Sequence, residues 1–486
     1  MSTRLFTGLR DAVAVGGLVL LGQGCGGSSN TPGGGGDSGA DARTGAPHDS
    51  GARADSGRPV DSSFHADVAP GDAQAGGDSG VKPDGSVSGG MDAGSDAETL
   101  DSGAKCIIGG TTYSSGAANP TNACESCQPA TSTTTWTVVA DAGVQCGVVD
   151  CGDAGTTTEL HGTVYAPNGT LPLWNVNVYV PGGDPGIITP GLNATCDTCS
   201  APLPGAPITA TTSKEDGTFV LTNVPVVDNL PVVIQIGKWR KQLKLQTRPT
   251  ACAPNGLPVV DTTLPKSRQD ISGDVVSVDL PQIAVSTGEA DAIECLLRKV
   301  GIADVEFTTD AQGGRVNLFA DTLSTGEGSA AFAAGFAGGS GSFADSQTLW
   351  DTYAKLSTYD ITMLSCEGAQ NAETKSQAAM DAMKMYADMG GRILMTHWQN
   401  IWIEGSTQLP ADTQEPAVWP TIAAWTDDDV ALGNNVVDVI DEVNDPSGPS
   451  FATWMLDNAG STVRDDVPLA NGTAKQTCES VDDSKA

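Results

Sequence analysis

The stretch that decides the fold reads Ile361-Thr362-Met363-Leu364-Ser365-Cys366-Glu367-Gly368, then a helical run through Met380, Met383 and Ala387, then Gly390-Gly391-Arg392-Ile393-Leu394-Met395-Thr396-His397. Two short apolar runs around a segment of helical spacing, which a glycine pair stops, predict strand, helix, strand. A connection of that length returns the chain to a parallel neighbour, by a right-handed crossover. The same grammar appears upstream. Ile283-Ala284-Val285-Ser286 is an apolar strand, Thr287-Gly288-Glu289 a turn, and Ile293, Leu296, Leu297 and Val300 form a helical stripe. Arg315 to Phe319 supplies a further strand. Residues 281–486 are therefore expected to be α/β with a mostly parallel sheet.

Before Pro281 the period changes to two. Leu160, Gly162 and Val164, then Val176, Val178 and Val180, then Thr218 to Leu221, then Val232 to Ile234 predict short strands with one buried face. Without a helical stretch among them, residues 156–280 read as an antiparallel β-sandwich. Within it, Trp239 lies between Lys238 and Arg240. Neighbours on a strand face opposite ways, so the indole is expected in the core and the cations in solvent, with a cation-π contact or anion site as the alternative.

Residues 106–151 hold Cys106, Cys124, Cys127, Cys146 and Cys151 among few apolar side chains, too few for an independent core. Disulfides are expected to hold this module. The Cys124-x-x-Cys127 spacing also suits zinc, but a second pair at zinc spacing is missing. Cys196 and Cys199 fall in a loop of the sandwich, where a local bridge or links to Cys151 and Cys252 are open. Twelve cysteines in all point to an oxidising compartment.

Residues 26–105 are Gly, Asp, Ser and Ala with recurring Asp-Ser-Gly. Nothing there offsets the entropy of ordering a backbone, so the segment reads as a disordered acidic tether, with a root-mean-square reach of about 50 Å. A net charge of -34 disfavours nucleic acid and anionic lipid as partners. The first 25 residues have a basic start at Arg4 and Arg10, then a run from Ala12 to Leu21 too short to span a bilayer. Leu21-Gly22-Gln23-Gly24-Cys25 resembles a lipobox, which implies acylation of Cys25 and a membrane partner reached through the lipid.

Two further resemblances concern the folded part. Gly162-Thr163-Val164, Pro172-Leu173, Asn175-Val176, Asp216-Gly217-Thr218-Phe219 and Asn223-Val224-Pro225 resemble the carboxypeptidase-regulatory-like, or prealbumin-like, domain, which is generally non-catalytic. Tyr359-Asp360, the strand, Cys366-Glu367-Gly368, the helix, Gly390-Gly391-Arg392 and His397 resemble the class I glutamine-amidotransferase-like fold, in its trehalose-utilisation-like branch. An active amidotransferase sets its Cys on a Gly-x-Cys-x-Gly elbow that runs straight into a helix. Here Leu364-Ser365 precedes Cys366, and polar residues separate Gly368 from the helix. A complete domain of that kind has more sheet than the four or five strands read here, so the domain is expected to stop short.

In an open parallel sheet, ligands bind beyond the carboxyl ends of the strands. Those ends carry Ser286-Thr287-Gly288, Cys366-Glu367-Gly368 and His397-Trp398, which are expected to converge. His48 and His65 lie in the tether, leaving His161 and His397, so a three-histidine zinc site is excluded. Glu367, His397 and Cys366 are the candidate catalytic residues, for proton transfer or hydrolysis. Cys366 as a small buried hydrophobe is the bland alternative. Ser286, Thr287, Trp398 and Trp402 are the candidate ligand-binding residues, with Trp419 and Trp425 near them as a platform for sugar rings or as loop packing. Asp427-Asp428-Asp429 lacks the spacing of a calcium loop, and no metal or cofactor is expected. Tether, module and sandwich are presentation devices. The expected function is therefore a lipid-anchored protein of the cell envelope, at the outer membrane and facing periplasm or exterior, that displays a binding or scaffold ectodomain with carbohydrate as the ligand class. A hydrolase or lyase using Glu367 and His397 is the alternative.

Overall fold

Ile283–Ser286 lies near the middle of a six-stranded sheet, with Val316–Ala320 on one side and Ile361–Leu364 on the other. Phe307–Thr308 and Ala344–Asp345 pair with Val316–Ala320, Arg392–Met395 closes the far edge, and every pairing is parallel. The computed structural model that shows this describes residues 103–481, apart from 140–142, 153–154, 193–201, 289–290, 322–331, 333–341, 405–408, 415–418, 420–422, 427–429, 434–435, 470–471 and 475–476. The expected signal, Cys25 and residues 26–102 of the expected tether lie outside the described residues, as do Cys196 and Cys199, whereas Lys105 already opens the strand Lys105–Ile108.

Burial on both faces explains why these strands read as unbroken apolar runs. Val285, Leu318 and Met363 join one hydrophobic cluster, while Ala284, Phe319 and Leu364 join another on the opposite face. Helix Gln377–Asp388 packs Met380, Met383 and Tyr386 into the second cluster. Ser376 caps it by accepting from the Ala379 N–H.

The sandwich region has two sheets. The larger runs Val275–Asp279, Trp239–Leu245, Leu230–Ile236, Asn177–Pro181, Pro207–Thr212, all antiparallel. In the smaller, Glu159–Thr163 pairs antiparallel with Thr218–Leu221 but parallel with Pro254–Gly256, so that sheet is mixed. Leu160, Phe219, Val178, Val232 and Leu243 belong to the same hydrophobic cluster as Val285, Leu297 and Val316. The boundary at 280/281 thus falls inside one continuous core.

Trp239 is buried as expected, donating to the Pro265 carbonyl at 2.9 Å. The expectation of solvated cations beside it is corrected. Arg240 is 1% exposed, with its guanidinium on Asp279 and the Gly186 carbonyl. Lys238 pairs with Asp360 at 2.7 Å and so ties the sandwich to the base of Ile361–Leu364. Covering loop 182–192 supplies the carbonyls that make these burials tolerable.

Disulfides join Cys106 to Cys127, Cys124 to Cys146, and Cys151 to Cys252. Cys124 and Cys127 are thus engaged in different bridges, which removes the zinc alternative. Cys151 reaches out of the module into the sandwich, and Cys295 is also disulfide-bonded, a role not foreseen for it.

The parallel sheet ends at Met395. Beyond it, Ala423–Thr426 pairs antiparallel with Thr477–Val481, Val430–Gly433 with Gly472–Ala474, and Val436–Val439 with Asp466–Leu469. Helix Gly448–Asp457 docks on the sandwich side, where the Trp454 indole donates to the Pro172 carbonyl at 2.9 Å. Residues 423–481 therefore depart from the expected parallel arrangement. Among the described residues no helix is long and apolar enough to cross a membrane.

Candidate functional site

Parallel register brings three strand ends abreast. Ser286 stands beside Phe319 and Leu364, and Leu364 beside Met395, at the place where strand order reverses. The chains stay joined just past the strands. Ser365 N–H donates to the Ser286 carbonyl at 3.2 Å, and Thr396 N–H to the Leu364 carbonyl at 3.1 Å. The Thr396 hydroxyl accepts from the Cys366 N–H at 3.0 Å. Gly288 passes so near that a Cβ there would stand 2.1 Å from the Cys366 carbonyl oxygen. Only a residue without a side chain permits this approach.

Cys366 and His397 meet at this end, with Sγ 2.9 Å from Nδ1. His397 adopts a left-handed φ of 45°, which swings its ring back over the neighbouring strand end. The unusual backbone thus belongs to the histidine, not to the cysteine. The N–H groups of Trp398 and Gly368 face the sulfur and favour its ionised form. Burial nonetheless pushes the Cys366 thiol up, and the Asp291 and Glu367 carboxylates push the same way against those N–H groups. This shift favours the thiol form, and the His397 tautomer sets which of the two atoms donates across the 2.9 Å contact. This is the only free cysteine among the described residues, and its side chain is fully buried.

Glu367 faces elsewhere. Its carboxylate pairs with the Lys375 ammonium at 2.5 Å, both side chains sealed from solvent, and Asn371 donates to it at 3.5 Å. The ammonium also lies 5.2 Å from the Trp350 ring centre. Burial raises the Glu367 pKa, opposed by Lys375.

The expected residues are thus gathered in part. Ser286, Thr287, Cys366 and Glu367 lie together at the strand ends, all buried, and His397 joins through Cys366. Trp402 is corrected as a ligand-binding residue. It is fully buried, its N–H on Gln399 and its ring edge-on to Trp350, so it offers no face to a ligand. Trp419 is buried as well, while Trp398 is half-buried beside the His397 ring. The side chain of Trp425 lies outside the described residues, as does Asp427-Asp428-Asp429. Lys375 and Thr396 were missed as site residues, whereas Gly288 was read among the converging strand ends. Lys375 reads locally as one polar residue before a helix cap, and only Gly288, in a strand-end turn, carried a signal. Among the described residues no three His, Cys, Asp or Glu gather in a way that holds a metal ion.

Chemically, the site can hold a proton between sulfur and imidazole and can neutralise one buried carboxylate. No family model matches the chain, and neither does any curated protein or solved structure at a significant level.

Proposed function

We propose that this chain is a lipid-anchored protein of the bacterial cell envelope, held at the outer membrane through Cys25, whose folded region is a binding or scaffold ectodomain. The observation that carries the reading is the disulfide bonding, including three bridges between described residues, one of them joining residues 101 apart, in a chain whose start reads as an export signal. Such bridges persist in an oxidising compartment. The carboxypeptidase-regulatory-like reading of 156–280 and the amidotransferase-like reading of the parallel sheet belong to the same proposal. Both describe a displayed assembly, with carbohydrate as the ligand class and half-buried Trp398, next to His397, as the candidate ring. Metabolic labelling with an alkyne fatty acid tests the anchor: label enters the wild-type chain and is lost in Cys25→Ser. Label retained in that variant refutes it.

A second reading is favoured by the Cys366–His397 contact, which is a nucleophile-and-base pair by geometry. It shifts the catalytic role from Glu367, which Lys375 occupies, to Cys366. Burial of the thiol argues against it. Iodoacetamide at neutral pH distinguishes the two: the display reading expects no alkylation of Cys366 in the folded chain, and rapid alkylation supports a hydrolase or lyase.

A further inference from the structure

Among the described residues, the module reaches the sandwich through Val144, Gly147 and Cys151. The Val226 N–H donates to the Gly147 carbonyl at 2.7 Å, and Gly147 lies so close that a Cβ would stand 2.4 Å from Val227. Val144 packs against the main hydrophobic cluster. The covalent member of the set is Cys151–Cys252, whose two residues are 101 apart in sequence. Cys151 and Cys252 are both half-buried, with exposed neighbours at Asp150, Gly152 and Ala251, whereas Cys106 and Cys127 are fully closed to solvent. The other half-buried bridge, Cys124–Cys146, lies wholly within the module.

We infer that Cys151–Cys252 is a redox-releasable staple that fixes the cysteine module onto the sandwich, so that its reduction frees the module while the body of the fold stays intact. The disulfide is positioned for this because access governs exchange, and the bridge nearest solvent yields before the one that is sealed. The reaction needs a dithiol as reductant. A thiolate of the dithiol attacks one sulfur of the bridge, the S–S bond breaks, and a mixed disulfide forms. The second thiol then closes on the first, so Cys151 and Cys252 leave as two thiols and the reductant takes up the disulfide. Once the bridge is open, the contacts described between module and sandwich are the Gly147–Val226 backbone hydrogen bond and the packing of Val144 and Gly147, which open locally at modest cost. This device rests on the display reading only for its purpose, since the module would then join tether to ectodomain and its release would change their geometry.

The test uses the full chain treated with graded dithiothreitol, alkylated, and read by peptide mass. Cys151 and Cys252 are expected to be alkylated at lower reductant than Cys106 and Cys127. At that point hydrogen exchange at the Val226 amide should quicken by about tenfold or more, while Val232 and Ile234 keep their protection. The Cys151→Ala/Cys252→Ala double variant should show the same fast Val226 amide without reductant, and it excludes an effect of Cys124–Cys146. Should that variant fail to fold, the same reduction series on a Cys124→Ala/Cys146→Ala variant decides in its place. Opening of Cys106–Cys127 first, or a Val226 amide still protected after Cys151 and Cys252 are alkylated, overturns the inference. Neither readout depends on the lipid, so a failure of Cys25 acylation leaves this result standing.

Discussion

Lys375 reaches a fully buried position because Glu367 awaits it there, and each charge is tolerable only through the other. Removing one partner leaves the other in a dry site. Lys375→Met should therefore cost about 3–5 kcal/mol at neutral pH by urea unfolding. The pH dependence fixes the cause. Burial holds the Glu367 carboxyl above the usual carboxylate range, so its contribution to stability is fully present below that range and is lost as pH rises through the folded value. Without Lys375 the penalty falls on the ionised form, and the cost of Lys375→Met should shrink in acid and grow toward neutrality. A cost independent of pH would show that lost packing against Trp350, not the charge, dominates.

At the scale of elements, the strand ends are held together by a backbone approach that one glycine permits. Gly288→Ala places a methyl group against the Cys366 carbonyl, a backbone atom that no rotamer change can move aside. It should destabilise by about 1–3 kcal/mol and make Cys366 accessible to iodoacetamide in the folded chain. A stable variant with Cys366 still protected would mean that the loops part without disturbing the site. The strands themselves were legible, because Ile283–Ser286, Ile361–Leu364 and Arg392–Met395 are each an apolar run bounded by polar residues. Their convergence follows from parallel geometry. What was not legible is which side chains meet there. The Glu367–Lys375 pairing depends on how the seven intervening residues return, and Trp402 gives no local sign that it faces Trp350 rather than solvent. The link from Cys151 to Cys252 was only one among several possible partners for each. Pairings set by tertiary folding leave no periodic trace.

Across the whole molecule, the change from period two to helical spacing near Pro281 marks a change of architecture, and the sequence reading placed a domain boundary there. The packing has no gap at that point. Leu264 and Leu280 of the sandwich region share a cluster with Ile283, Leu297 and Val316 of the parallel sheet, and half-buried Lys238 pairs with buried Asp360 across the same junction. Separating the two parts exposes apolar surface on both, at about 25 cal/mol per Å². The two regions should therefore unfold together. Hydrogen exchange measured along a urea series, with disulfides intact, should give one midpoint for Val232 and Ile234 of the sandwich and for Val285 and Met363 of the parallel sheet. Midpoints that differ by about 1 M or more would make 280/281 a true domain boundary, since that gap at typical urea slopes is a difference of about 1–3 kcal/mol. Coincident midpoints would instead make the sandwich and the parallel sheet one folding unit, in which the strand ends around Cys366 inherit their rigidity from the core shared with the sandwich.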